Sequence, residues 1–279
     1  MTNQTETLQS IPQEFSPNTI LPVYHPDQQD NFNSNFIRLT QQWWELNGLY
    51  QSLSKLIGHG NALTQMLLYN LGTSKWNGGS TIFWQQYDNN PNVYSGGLIV
   101  KFDSQSGEAV DDYFITVQDV LADDYGVGTL KPPVPKLIGS HLVKMFPDKP
   151  IVICHSPITA LVGNHHLSQY NWLATPEHPL VDLTGPSFVK ALPTTSPILL
   201  IAEPNHEDQW SRVHFVLRTF LSIYPHRRID LLVASSLPGF TGSMARWIAN
   251  DPFYANWIID WTIDVSTVHN KKTKRSQNG

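Results

Sequence analysis

The sequence predicts an α/β protein in which a parallel sheet with flanking helices follows a helical segment and a small antiparallel β-meander. After residue 150, short apolar runs alternate with helical patterns, which favours parallel strands joined by crossover helices. Before that point, an amphipathic helical pattern is followed by β-rich runs separated by turn residues. The composition includes 41% hydrophobic residues and nine tryptophans, which is sufficient for a packed core.

Four regions are predicted along the chain. Residues 1–30 are polar and rich in proline, which predicts a flexible N-terminal arm. Residues 31–149 carry the helical and meander patterns, residues 150–265 form the α/β domain, and residues 266–279 form a basic flexible tail. The first residues lack the basic and apolar regions of a signal peptide. No apolar run approaches the roughly 20 residues of a membrane span, so we expect a cytoplasmic protein that makes no membrane contact.

The first helix is predicted from an apolar stripe whose members recur at spacings of three and four residues. The stripe consists of Phe36, Leu39, Trp43, Leu46, Tyr50, Leu53 and Ile57. Core packing explains it, with a partner-binding seam as the alternative. Gly48 allows a break within this helix, and a shorter helix is predicted over 61–70.

The middle of the chain predicts the meander. Its β-rich runs alternate with turn residues and lie at 80–87, 92–102 and 109–117. A proline-rich connector over 131–136 and a short helix over 137–146 lead into the second half.

The second half alternates strands with helices. The predicted strands are 150–154, 170–174, 197–202 and 229–234. The predicted helices are 156–165, 186–191, 207–224 and 241–250, and the tryptophan spacing within 252–265 favours a further helix. Because open α/β sheets bind ligands at the carboxyl ends of their strands, the residues that follow these strands are the candidate site.

Charge and cysteine content exclude several classes of protein. The net charge is −5 and only 15% of residues are charged, so there is no strong basic footprint for nucleic acid. The single cysteine, Cys154, excludes an intramolecular disulfide framework and a multi-cysteine zinc finger. It lies in an apolar strand and is interpreted as a core residue. The sequence contains no Walker motif and no dinucleotide-binding glycine motif after a strand.

Six segments follow one another in a characteristic order: YNLGTSKWNGGSTIFWQQYD, GGLIVKFDSQSG, IGSHLV, IVICHSPITALVGN, YNWLAT and ILLIAEPNHEDQW. Together they resemble an uncharacterised family of primase-like, Toprim-related proteins encoded by bacterial mobile elements, over roughly residues 36–235. The resemblance implies a Toprim-like parallel sheet and a role in a replication or mobile-element system. It also implies single-stranded DNA or a replication protein as partner. Family members often carry a zinc finger, whose cysteines this chain lacks.

The resemblance also implies where catalysis would occur. Toprim chemistry uses a glutamate after the first strand and two aspartates after a later strand, because Mg²⁺ prefers clustered carboxylates. Here the glutamate position is His155, and Glu203 and Asn205 stand at the two aspartate positions. The sequence therefore predicts a degenerate catalytic site. We expect no cofactor, with Mg²⁺ or another divalent metal required only if the site is active.

Two other interpretations of these residues stay open. His155, Glu203 and His206 could form a repurposed metal site, since this donor set suits Zn²⁺, Mn²⁺ or Fe²⁺ better than Mg²⁺; capping of loop and helix ends is the alternative. Ser156 could be a hydrolase nucleophile, but a nucleophile elbow needs small neighbours and Ile158 is branched. Helix capping is the simpler role for Ser156.

Nucleic-acid contacts are predicted at basic residues in two places. These are Arg227, Arg228, Lys271, Lys272, Lys274 and Arg275. Abundant Trp, Asn and Gln on a weakly charged surface are also compatible with protein contacts. The sequence thus predicts a primase-like protein that acts on or binds nucleic acid and has an eroded metal site. A catalytically inactive protein-interaction module on the same scaffold is the alternative.

Overall fold

The computed structural model describes most of the predicted elements. The described residues are 37, 40–41, 44–74, 79–87, 90–110, 115–125, 137–175, 183, 196–220 and 228–250. Several predictions fall on other residues: the N-terminal arm, the connector over 131–136, the helix over 186–191, the segment 252–265 and the basic tail. They lie outside the described residues.

The amphipathic stripe forms a short 3-10 turn, Trp44–Leu46, followed by helix α1, Gly48–Ile57. The break that Gly48 allows is therefore present, because Asn47 starts a new helix. Its backbone is extended, and its side-chain oxygen accepts a hydrogen bond from the backbone N–H of Tyr50 at 3.0 Å, which caps α1. The break lies next to Gly48, where a side chain would collide with the carbonyl oxygen of Phe102 at 2.1 Å.

Gly58 separates α1 from helix α2, His59–Leu68. Its φ of +82° is in the left-handed region that glycine tolerates. The helix predicted over 61–70 is therefore confirmed, with a start two residues earlier. Of the predicted stripe, Leu53 and Ile57 of α1 are buried, whereas Leu46 is 50% exposed and Phe36, Leu39 and Trp43 lie outside the described residues. Within the described residues, the α1 part of the stripe therefore packs into the core and the turn before it does not.

The antiparallel sheet has four strands in the order β1-β2-β3-β4. They are β1, Leu71–Ser74; β2, Ser80–Tyr87; β3, Asn90–Val100; and β4, Ile115–Thr116. β1 is absent from the predicted elements. The strand predicted over 109–117 is wrong in its length, because helix α3, Val117–Tyr125, begins immediately after the two residues of β4.

The second sheet is parallel, with the order β6-β5-β7-β8. Its strands are β5, Ile151–Cys154; β6, Asn171–Ala174; β7, Ile198–Ala202; and β8, Ile229–Val233. The accompanying helices are α4, Ser140–Met145; α5, Pro157–His166; α6, Glu207–Phe220; and α7, Met244–Asn250. As predicted, β5 and β7 are parallel neighbours.

Alternating side chains of the parallel strands build two cores. One face, including Val152 and Trp172, packs with α1, α2, α5 and α7 against residues of the antiparallel sheet. The other, including Ile153 and Leu200, packs under α4 and α6. Each strand is apolar at nearly every position because both faces of the sheet are covered.

The predicted fold class is confirmed: a parallel sheet flanked by helices follows helices and an antiparallel sheet. Within the described part of the chain, no helix has the length and apolar character needed to cross a membrane.

Candidate functional site

The candidate site lies where three parallel strands end. Thr175 follows β6, His155 follows β5 and Glu203 follows β7. Because these strands are neighbours in the sheet, the three residues meet at its carboxyl edge. The structure therefore brings together two of the three positions that the sequence assigns to the degenerate Toprim site, His155 and Glu203, with Thr175 in addition. Asn205, the third position, is not among these contacts.

Glu203 is a buried carboxylate, only 8% exposed, that joins β7 to the beginning of α5. Its Oε2 accepts hydrogen bonds from the backbone N–H groups of His155 at 3.1 Å and Ser156 at 2.7 Å. Its Oε1 accepts a third from the hydroxyl of Thr159 at 2.6 Å. A carboxylate here also interacts favourably with the positive end of the α5 dipole. Glu203 thus caps a helix from the neighbouring strand.

The Ser156 hydroxyl does not perform this capping. Ser156 occupies the N-cap position of α5, yet its side chain makes no capping hydrogen bond. Its Oγ is buried and lacks a hydrogen-bond partner within the structure as described. The predicted N-cap position of Ser156, with proline in the first turn, is therefore confirmed, but its hydroxyl makes no capping hydrogen bond. The Glu203 carboxylate instead binds the N–H groups of His155 and Ser156, which immediately precede the helix.

Burial raises the pKa of Glu203 to about 7, and the negative charge of Glu108 contributes in the same direction. The three hydrogen bonds oppose this shift because they stabilise the ionised form. Desolvation is the larger effect. A carboxyl group with a pKa near neutrality at a strand edge is a common property of catalytic acids and bases, and of buried structural carboxyls as well.

His155 contributes two different groups to the site. Its backbone N–H binds Glu203, while its ring Nδ1 lies 3.2 Å from the hydroxyl of Thr175. The ring also packs against the ring of His206, with 4.3 Å between centroids and 41° between planes. The imidazole that the sequence aligns with a metal-binding glutamate is therefore held by a threonine and a second histidine.

Glu108 is a site residue that sequence reasoning missed. It follows the turn Asp103–Gly107, in which Asp103 accepts hydrogen bonds from the backbone N–H groups of Gln105 and Ser106 and from the Ser106 hydroxyl. These bonds lower the pKa of Asp103. Gly107 fits closely against α5, since a side chain there would lie 2.3 Å from Ile158.

This turn brings Glu108 into electrostatic contact with Glu203 and His206. Partial desolvation raises the pKa of Glu108, and the charge of His206 opposes that rise. No local pattern in the sequence indicates Glu108. It belongs to the antiparallel half of the chain, far in sequence from His155 and Glu203, and only tertiary packing brings it near them. Thr159 was also missed, although its position three residues after Ser156 is a usual capping position in a first helical turn.

These residues do not fit the Mg²⁺ ion that the Toprim resemblance implies. Mg²⁺ prefers several oxygen ligands in octahedral geometry, whereas both oxygens of Glu203 accept hydrogen bonds from Thr159 of α5 and from the two residues before that helix. Asn205 is exposed and neutral, and adopts a φ of +69° within the turn between β7 and α6. Among the residues that the structure describes, no three His, Cys, Asp or Glu side chains form a group suited to a metal. The repurposed metal site stays a prediction.

Of the predicted nucleic-acid contacts, the structure describes Arg228, which lies at the opposite end of its strand from this edge. Arg228 precedes β8 and forms an ion pair with Asp230, which occupies part of its guanidinium group. Arg227 and the basic residues of the tail, Lys271, Lys272, Lys274 and Arg275, lie outside the described residues.

Comparisons with known proteins give two similarities. A family model described as a domain of unknown function (DUF6371) matches residues 47–183. A solved DNA primase domain from Pseudomonas aeruginosa is similar in structure, with a TM-score of 0.37 and 12% sequence identity. That match covers 68% of this chain and 55% of the primase-domain chain. No curated protein matches this chain.

Proposed function

We propose that this chain is a primase-like, Toprim-related protein that binds nucleic acid and has replaced metal binding at the strand edge by helix capping. The hydrogen bonding of Glu203 carries this proposal. A carboxylate held by two backbone N–H groups and a hydroxyl would have to abandon all three donors to bind a metal. Two of these donors are backbone N–H groups of the residues immediately before α5, and leaving them without an acceptor is costly.

Without a metal, the edge lacks the charge that phosphoryl transfer requires. Metal ions neutralise the negative charge that develops on the transferred group, and His155 offers only a ring nitrogen in their place. The proposed role is therefore a binding component of a replication or mobile-element system, with single-stranded DNA or a replication protein as partner.

Two measurements on the whole chain test this proposal. Fluorescence anisotropy with a labelled single-stranded oligonucleotide should detect binding that weakens as salt rises from about 50 to about 200 mM. Millimolar Mg²⁺ should leave Tm unchanged, and primer-synthesis and nuclease assays with Mg²⁺ or Mn²⁺ should show no activity. A Tm increase with Mg²⁺ that Glu203→Ala cancels would prove the metal site active and the proposal wrong.

A protein-interaction module is the second candidate function. It is favoured by two exposed apolar side chains at the end of α4, Met145 and Phe146, which are 56% and 37% exposed. Clusters of exposed apolar surface often mark contacts with other proteins. Absence of oligonucleotide binding at low salt, together with a stable co-purifying protein, would favour this candidate over the first.

A further inference from the structure

Helix α6 has two faces of different character. Its inner face packs against the parallel sheet through Trp210, Val213 and Leu217, which are fully buried. Their spacings of three and four residues are those of a helix with one buried stripe. Phe215 lies on the opposite side and is 73% exposed, the highest exposure among the large apolar side chains that the structure describes.

Two arginines flank this phenylalanine. Arg212 and Arg218 are each three residues from Phe215, which places them about one turn before and after it on the same side of the helix. Both are exposed. Neither guanidinium group forms an ion pair or hydrogen bond within the described part of the chain. Asp208 precedes Arg212 by four residues, a spacing that permits a pair, but the two do not pair here.

Other contacts do not account for this arrangement. A single exposed apolar side chain is ordinary on a protein surface, and an arginine in a last helical turn interacts favourably with the helix dipole. Neither explanation covers an aromatic ring between two unpaired arginines. Ser211 and Thr219, the other neighbours of Phe215 on this face, are polar and exposed. Along this described face of α6, the neighbours of the ring at spacings of three and four residues are therefore polar or positively charged.

This chemistry fits a single-stranded nucleic acid better than a protein. Bases stack on aromatic rings with little dependence on sequence, while positive side chains bind the phosphates beside them. Arginine also suits phosphate because its guanidinium donates two parallel hydrogen bonds. A protein partner would require a contiguous apolar patch, which the neighbours of Phe215 along the described part of α6 do not form.

We propose that the outer face of α6 binds single-stranded nucleic acid, with one base stacked on Phe215 and the adjacent phosphates bound by Arg212 and Arg218. The proposal rests on the nucleic-acid binding proposed above and assigns it to a surface away from the Glu203 edge. Binding and the capped strand edge are then independent features of the molecule.

Substitutions of Phe215 test the stacking. The probe is a labelled oligodeoxythymidine of about 20 nucleotides, longer than the site of one binding domain, and the measurement is anisotropy on the full chain. Phe215→Ala should weaken binding about tenfold, within the range measured for loss of one stacked base. Phe215→Trp should retain binding. Phe215→Leu keeps an apolar side chain without a π face and should resemble Phe215→Ala.

Substitutions of the arginines test the phosphate contacts. Arg212→Ala and Arg218→Ala should each weaken binding at low salt and reduce the slope of log affinity against log salt by about 0.7. Lys101→Ala and Leu67→Ala are the matched controls, since each removes an exposed charge or an exposed apolar side chain from the other half of the chain. They should leave affinity and slope unchanged. Circular dichroism verifies that every variant is folded.

The outcomes separate this proposal from the one on which it rests. If the unaltered chain binds the oligonucleotide and the Phe215 and arginine variants bind equally well, the α6 surface is wrong and nucleic-acid binding stands. If the unaltered chain does not bind even at low salt, nucleic-acid binding itself is wrong. Equal binding by Phe215→Leu and the unaltered chain would exclude base stacking and indicate a general apolar contact, as expected for a protein partner.

Discussion

The carboxyl edge of the parallel sheet and the outer face of α6 differ in whether their charged side chains are buried and hydrogen-bonded. At the edge, Glu203 is buried and accepts three hydrogen bonds from the protein itself. On α6, Arg212 and Arg218 are exposed and unpaired within the described part of the chain. The edge is where this class of sheet usually binds ligands, yet both oxygens of its buried carboxylate already have partners. The difference indicates that exposed side chains without partners in the described structure locate a binding surface better than the usual ligand-binding position of the fold does.

Glu203→Ala is expected to have the largest effect and tests the structural role of the edge directly. It leaves the N–H groups of His155 and Ser156 without an acceptor at the start of a buried helix. Each buried donor without a partner costs about 1–3 kcal/mol, so the free energy of unfolding should fall by about 3 kcal/mol. Urea denaturation at pH 7 measures this change.

Glu203→Gln is the matched control for that variant. Its carbonyl oxygen can accept from both backbone N–H groups, and its amide can donate to the Thr159 hydroxyl. Most of the stability should therefore remain. Equal loss in the alanine and glutamine variants would show that the negative charge, and not the hydrogen bonding, matters at this edge.

The pH dependence of stability sharpens the comparison further. The pKa of Glu203 is about 7 in the folded protein and about 4.3 for an unperturbed glutamate. Between these values the folded state binds more protons than the unfolded state, so stability falls as pH rises. The protonated group contributes its full stabilisation below about pH 4.3 and loses it as the pH passes 7, a change on the order of 3–4 kcal/mol.

Thermal denaturation from pH 5 to pH 8 measures this dependence. Glu203→Gln cannot titrate at this position, so its Tm should rise relative to the unaltered chain as the pH increases. Glu108→Gln is the control, because the pKa of Glu108 is raised as well and contributes a slope of the same sign. A constant Tm difference between Glu203→Gln and the unaltered chain would contradict the raised pKa of Glu203.

The sequence predicts the parallel half of the fold better than the antiparallel half. The described strands of the parallel sheet are apolar at nearly every position, because helices cover both faces of the sheet, and such runs stand out in the sequence. β1, with the sequence LGTS, is missed because it contains a glycine and two small polar residues, and its pairing with β2 stabilises it. Likewise, Asn47 interrupts the helix predicted from the apolar stripe. Its side chain caps a new helix, and the spacing of apolar residues carries no information about such a hydrogen bond.

The candidate site is only partly readable from the sequence. The positions of His155 and Glu203 follow from the order of the strands, since both come directly after neighbouring strands. The direction of the Glu203 carboxylate does not follow, because Ser156 and Thr159 are equally plausible capping residues by spacing. Glu108 lies near Glu203 because Gly107, the preceding residue, packs against Ile158. This contact joins residues far apart in the sequence, so no local pattern predicts it.

Ser156→Ala separates the two capping interpretations with a smaller effect. If the serine hydroxyl capped α5, its removal would cost about 1 kcal/mol. Since Oγ is buried and has no partner within the described structure, removal of this hydroxyl should leave stability unchanged or raise it by up to about 1 kcal/mol. Urea denaturation distinguishes the two signs, and a clear loss of stability would restore Ser156 as the cap.

Phe215→Ala should have the smallest effect on stability, which separates the two regions most clearly. The ring is 73% exposed, so truncation removes little buried apolar surface and leaves no cavity. Surface substitutions of this kind usually change the free energy of unfolding by less than about 0.5 kcal/mol. Urea denaturation and oligonucleotide anisotropy on the same preparation should then show unchanged stability beside weakened binding, the reverse of Glu203→Ala. A stability loss above about 1 kcal/mol would mean that the ring packs against the protein and is not available to a base.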